Sequence, residues 1–336
     1  MALAIGVAAA PDATSGAAPT GVGPVRRFMQ WALAQRARQT PLPPGTVDKT
    51  LEHGGRTRRF YVHRPAAWNG TDRLPVVLLF HGGGGGARQA LVSYGWPELA
   101  DREQFLLVAP DGTGQVEGIL LTWNVHFGFG DALRHHVDDG GFVTALLEAL
   151  AREYPIDPDR LYATGISNGG ILCHWLAARP DNRLAAIAPV VATLGGRRQD
   201  QKDWQVPPRP ATPVSVLAIN GALDRNVPLA GGLQERSWGE PVFMMSASQT
   251  MRFWVEANGC VEPPTVVEAP SRGYTAWRWT GGRAGTEVAL FVLHRQGHAW
   301  PGTREAPRRV ADPPDPDFPA TELIWKFFRA HPRRAP

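Results

Sequence analysis

Three side chains of complementary chemistry each follow a separate strand-like run. Ser167 lies in Gly165-Ile166-Ser167-Asn168-Gly169-Gly170, between the strand-like RLYAT and the helical ILCHWLAA. This is the strand, sharp turn and helix context that gives G-x-S-x-G its meaning, because a tight turn of small residues exposes the hydroxyl. A serine hydroxyl alone is a weak nucleophile near neutral pH, so it needs a base and a group that orients the base. Asp224 follows VSVLAI, in Asn220-Gly221-Ala222-Leu223-Asp224, and His298 follows ALFVL, in Gln296-Gly297-His298-Ala299-Trp300. Serine attack, histidine proton transfer and carboxylate support together give acyl transfer.

Acyl transfer also needs donors for the charge that develops on the carbonyl oxygen. The run HGGGGG directly follows PVVLLF, so the backbone amides of Gly82 and Gly83 can approach a substrate closely, joined by the amide of Asn168. Phosphate binding is the competing reading of such a run. It is disfavoured because the run lacks the lysine and Ser/Thr of a P-loop and the spacing and partner acid of a dinucleotide site.

These residues need a sheet to carry them. Arg59–His63 alternates as a half-buried strand does, whereas Pro75–Phe80 and Phe105–Ala109 are continuous apolar runs suited to covered parallel strands. Further strands are expected at Arg160–Thr164, Val214–Ile219 and Val288–Leu293. Helices are expected from Gly141 to Tyr154 with Asp139 as the cap, from Ser246 to Ala257, and from Ala320 to Ala330. Parallel strands separated by helices give a doubly wound, mostly parallel α/β sheet with helices on both faces. Right-handed crossovers then gather the loops after the strand ends along one edge. Residues 1–45 read as an Ala-, Gly- and Pro-rich tail with one helix at Val25–Arg38, and residues 46–332 as a single catalytic domain.

Composition is that of a globular protein: 336 residues, 43% hydrophobic and 20% charged, with 37 glycines and 31 prolines that imply many tight turns. The net charge of +4 comes with short, scattered arginine pairs that lack interleaved aromatics, which argues against nucleic-acid binding. No apolar run approaches the ~20 residues that span a bilayer, so no membrane partner is expected. MALAIGVAAA resembles the apolar part of a secretory leader but lacks a basic start, so the expectation is a secreted or periplasmic protein, with the cytoplasm as the alternative. Two cysteines, Cys173 and Cys260, permit one bridge, but Cys173 reads better as a small buried hydrophobe. His135, His136, Asp138 and Asp139 could suggest a metal site. Adjacent side chains diverge, so a capped turn is the better reading and neither metal nor cofactor is expected.

At these residues the chain resembles the polyhydroxybutyrate depolymerase and feruloyl esterase group of α/β-hydrolases, in particular its short secreted bacterial type. The resemblance spans roughly Thr57–Phe328. It rests on HGGGG, VDDGGF (Val137–Phe142), IDPDRLYATGISNGG (Ile156–Gly170), AAIAPV (Ala185–Val190), FWVEANGC (Phe253–Cys260) and GHAWPG (Gly297–Gly302). It implies the α/β-hydrolase fold, and it puts nucleophile, acid and base on Ser167, Asp224 and His298. It also implies hydrolysis of hydroxyalkanoate, hydroxycinnamoyl or acetyl esters without a cofactor. The chain departs from the group's pattern at Asn220–Asp224, where histidine and threonine commonly precede the acid, and at Gln296, where glycine is common.

The segment Gln115–His136, with Trp123, Phe127 and Phe129, is expected to vary with substrate. Trp300, two residues from His298, and Trp123 are the candidates for stacking on a substrate ring, with Trp238 the weakest. His81 is read as ordering the glycine loop rather than as moving protons. The oligomeric state is left open. Two alternatives to an esterase stand: an amidase or peptidase with the same triad, and a noncatalytic polymer-binding protein on a hydrolase scaffold, suggested by 12 tryptophans.

Overall fold

The computed structural model describes residues 40–235, 241–303 and 312–334. The expected helix at Val25–Arg38, the leader and Trp238 lie outside them. The strands that build the main sheet are β1 (Thr46–His53), β2 (Arg56–His63), β3 (Leu74–Phe80), β4 (Leu106–Pro110), β5 (Ile156–Ile166) and β6 (Ala186–Val190). They continue, past the short β7 (Gly196–Arg198), with β8 (Ser215–Gly221) and, past the short β9 (Gly232–Leu233) and β10 (Val242–Met244), with β11 (Thr265–Ala269), β12 (Tyr274–Trp279) and β13 (Val288–Leu293). The ten-stranded order is β1-β2-β4-β3-β5-β6-β8-β13-β12-β11, while β7, β10 and β9 form a separate small sheet.

From β4 to β13 the pairing is parallel throughout. The antiparallel β1–β2 ribbon closes one edge and the β11–β12 hairpin the other. The expected parallel core is therefore present. The β11–β12 hairpin was not anticipated: its outer strand is exposed along most of its length, so it carries little apolar signal.

The strand β3 shows why the sheet is covered on both faces. Leu74, Val76, Leu78 and Phe80 enter one buried cluster, and Val77 and Leu79 enter the other. This is the two-residue side-chain period of a strand, with apolar residues on both sides. The helices α1 (Ala87–Ser93), α2 (Trp96–Glu103) and, at the far end of the chain, Ala320–Ala330 supply the second cluster. After the short helix α3 (Asp131–Arg134), the helices α4 (Asp139–Glu153), α5 (Asn168–Ala177) and α6 (Ala247–Asn258) supply the first. The final helix, α7, keeps its expected bounds, and α6 is shifted by one residue because Ser246 caps it in a reciprocal capping box with Gln249.

The cap of α4 corrects the sequence reading. Asp138, not Asp139, accepts the hydrogen bond from the Gly141 amide at 2.8 Å. Asp139 lies on the same helical stripe as Phe142 and Leu146 and turns inward. There it pairs with buried Arg58 at 2.6 Å and accepts from the Asn124 amide at 2.7 Å. His135 and His136 are exposed, so these four side chains do not converge. Among the described residues no cluster of three or more His, Cys, Asp or Glu has the arrangement of a metal site. Cys173 and Cys260 are both free thiols; Cys173 is buried on α5 and donates to the Gly169 carbonyl, and burial pushes its pKa well up. Among the described residues no helix is long and apolar enough to cross a membrane.

Candidate active site

Ser167 joins β5 to α5 in a backbone conformation with φ 55° and ψ −122°. A non-glycine residue there costs on the order of 1–3 kcal/mol, so surrounding contacts must impose it. The Ser167 amide donates to Val190 O at 2.9 Å, tying the turn to the end of β6. A methyl group on Gly165 would lie 2.8 Å from the Phe80 carbonyl oxygen, and one on Gly169 only 2.5 Å from that of His81. Backbone cannot yield there as a flexible side chain would, so α5 can pack against β3 only without these side chains.

The structure brings Ser167, His298 and Asp224 into one hydrogen-bonded line. Ser167 Oγ lies 2.9 Å from His298 Nε2, and His298 Nδ1 lies 2.8 Å from Asp224 Oδ2. The other carboxylate oxygen of Asp224 accepts from the amides of Asn226 and Val227, both at 2.8 Å. A carboxylate held in this way fixes the His298 tautomer with its proton on Nδ1, which leaves Nε2 to accept from the serine hydroxyl. The Asp224 side chain is 1% exposed and that of His298 12%, so the pair is shielded while the imidazole still meets the site.

The glycine loop lies against the serine turn: a methyl on Gly82 would sit 3.6 Å from Ser167 Cβ, and one on Gly83 3.4 Å from Asn168 Cβ. His81 orders it. Its Nε2 accepts from the Gly112 amide at 2.9 Å, which puts the proton on Nδ1, and Nδ1 donates to Gly82 O at 2.8 Å. The Gly85 amide donates to the same oxygen at 2.9 Å. In a trans peptide the N–H points opposite to the C=O, so anchoring the Gly82 carbonyl aims the Gly83 N–H the other way. The Asn168 side chain bonds both polar groups of the Trp123 backbone, accepting from its N–H at 2.7 Å and donating to its carbonyl at 3.2 Å. At the far end of the loop, Asp111 accepts from the Ala87 amide that opens α1, at 2.7 Å. Burial raises the Asp111 pKa to about 6, and the Ala87 amide and, less, Arg59 only partly offset this.

The two tryptophans expected to stack on substrate do not present a face. Trp123 is 0% and Trp300 1% exposed. Trp123 donates from its indole to His81 O at 3.0 Å and meets Phe80 edge-on. Trp300 stacks on Tyr94 and donates to Thr321 Oγ1 at 3.0 Å, which places it among α1, α2 and α7. The aromatic ring that reaches the glycine loop is the partly exposed Phe129, whose Cζ would lie 2.8 Å from a methyl on Gly83. It belongs to the segment expected from the sequence to vary with substrate, and the structure shows positive φ at its neighbours Gly128 and Gly130.

The parallel sheet, the strained serine turn and the hydrogen-bonded line are those of an α/β-hydrolase fold. Residues 129–208 match the model of the prolyl oligopeptidase family, a stretch that contains Ser167 but neither Asp224 nor His298. The chain is 26% identical over 242 residues to feruloyl esterase B of Piromyces equi, covering 72% of this chain and 42% of that protein. It therefore spans less than half of that relative's length. To the esterase NocK of Nocardia uniformis subsp. tsuyamanensis, whose esterase assignment is itself provisional, it is 27% identical over 311 residues, covering 88% of this chain and 83% of the other. Among solved structures, paraoxon-phosphorylated esterase 2 of Thermogutta terrifontis superposes with a TM-score of 0.54 at 17% identity, covering 87% of this chain and 96% of that one. That likeness bears on the fold alone. In sequence the chain is thus similar to proteins named esterase and feruloyl esterase.

Proposed function

We propose that the protein is a serine carboxylic ester hydrolase working through an acyl-enzyme, with feruloyl or acetyl esters as the favoured substrates and hydroxyalkanoate esters as a further class to test. The observation that carries this reading is the line Ser167–His298–Asp224, with its 2.9 and 2.8 Å contacts. His298 takes the serine proton as Oγ attacks the ester carbonyl, and Asp224 stabilises the imidazolium. The oxygen that becomes negative is met by the Gly83 amide, with those of Gly82 and Asn168 beside it. His298 then gives its proton to the leaving alkoxide, and water attacks the acyl-enzyme by the same relay, releasing the acid. None of these steps calls for a metal or organic cofactor.

Relatives named feruloyl esterase support a hydroxycinnamoyl acyl group, and Phe129 supplies an aromatic wall beside the glycine loop for such a ring. The prolyl oligopeptidase match favours an amide as the second reading. Purified protein and Ser167→Ala should be compared on p-nitrophenyl acetate, ethyl ferulate, a hydroxybutyrate oligomer and the amide matched to the ferulate. The proposal expects ester turnover that disappears in the variant. Amide turnover exceeding that of the matched ester would replace it with the peptidase reading. Substrate binding with no turnover of any ester or amide would favour a noncatalytic binder.

A further inference from the structure

Gln296 is completely buried, although an amide side chain carries two donors and an acceptor that must be satisfied away from water. Its Nε2 donates to Gly297 O at 3.0 Å and to Ala299 O at 2.8 Å, the two carbonyls that flank His298. Its Oε1 accepts from the Asp315 amide at 2.6 Å. Its own backbone carbonyl accepts from Leu223 N at 3.0 Å, one residue before Asp224. Gly221 packs so closely that a methyl there would lie 2.3 Å from that carbonyl oxygen. One residue thus joins the acid-bearing loop, the base-bearing loop and the segment at Asp315.

We propose that Gln296 is a positioning residue for the reaction: its side-chain amide clamps the carbonyls on both sides of His298 and so sets the imidazole between Asp224 and Ser167. The backbone at His298 is tightly folded, since the Ala299 amide donates to Gly297 O at 3.1 Å, and the Gln296 amide braces that turn by donating to the same oxygen and to Ala299 O. Both hydrogens of the Gln296 amide are spent on that task. The His298 amide donates to Asp312 Oδ2 at 3.3 Å, a second tie to the segment that holds Gln296. A displacement of about 1 Å in a catalytic group can cost ~100-fold in rate, which is the scale on which such a clamp acts. The proposal rests on the triad reading above.

Two near-isosteric variants test it, with kcat expressed per site titrated by an organophosphate. Gln296→Met removes all three hydrogen bonds, and Gln296→Glu keeps the acceptor for Asp315 but removes the donors. Both are expected to lose kcat by roughly 10- to 100-fold, with KM within about twofold. Both should also lose the far-downfield proton resonance of the His298–Asp224 hydrogen bond. A folded variant of either kind with wild-type kcat and that resonance intact overturns the clamp, even if its Tm has fallen. If neither variant folds, side-chain NH2 exchange in the wild type decides: slow exchange of the Gln296 protons supports the clamp, and fast exchange overturns it. Failure of the triad itself reads differently, as Ser167→Ala retaining activity.

Discussion

The turn that carries Ser167 and the loop that carries His298 meet at one hydrogen bond, yet they are held by opposite means. The serine turn is fixed by what is missing. Gly165 and Gly169 admit backbone within a distance no side chain tolerates, and β5 and α5 on either side dictate the path. The histidine loop is fixed by what is added: Gln296 fills its inside, and Asp312 and Asp315 bind it from a later part of the chain. The nucleophile is thereby preorganised by steric necessity over a handful of residues. The base depends on polar contacts that converge from separate segments, so substitutions should damage the two regions differently.

The largest effect belongs to the base side. Asp224→Asn keeps the shape but removes the charge that holds His298 in its tautomer, and kcat should fall by ~10^4-fold with little loss of stability. A drop below tenfold in steady-state ester hydrolysis would break the idea that Asp224 orients the base. On the nucleophile side the damage should be to folding. Gly169→Ala puts a methyl 2.5 Å from the His81 carbonyl and 2.6 Å from that of Phe80, and should cost about 3 kcal/mol or more by chemical denaturation. Wild-type stability in that variant would show that the turn can relax.

A smaller effect is expected at the outer anchor of the glycine loop. Burial raises the Asp111 pKa from 3.8 to about 6, so the folded state holds this proton more tightly than the unfolded state. Between these values the folded chain binds more protons, and stability falls as pH rises from about 4 through about 6, then levels off. Asp111→Asn keeps an acceptor for the Ala87 amide and removes the ionisation. It should abolish that decline and be more stable than wild type at pH 7, by roughly 1–3 kcal/mol, in urea titrations across pH. Parallel pH profiles for the two proteins would contradict this.

The same contrast explains what the sequence made legible. Ser167, Asp224 and His298 could be found because each follows an apolar strand run, and local pattern suffices to place a residue at a strand end. Local pattern does not report which way a side chain faces. Trp300 is two residues from His298 and Trp123 lies in the segment expected to vary with substrate, but their indole N–H groups are satisfied by Thr321 and His81, which lets the rings be buried. Asp138 and Asp139 are equally good caps by type, and only the stripe shared by Asp139 with Phe142 and Leu146, together with Arg58 on β2, separates their roles. Gln296 stood out as a departure from a common pattern, but its partner Asp315 is 19 residues away and visible only in the fold.

In the proposed reaction Ser167 carries the acyl group during turnover. Wild-type protein should be quenched with acid during hydrolysis of a slowly deacylated p-nitrophenyl ester and its peptides mapped by mass spectrometry. An acyl mass increment on the peptide containing Ser167, matched in amount to the initial burst of p-nitrophenol, is the predicted result. A burst with the acyl group on another residue, or undiminished turnover in Ser167→Ala, would contradict the account.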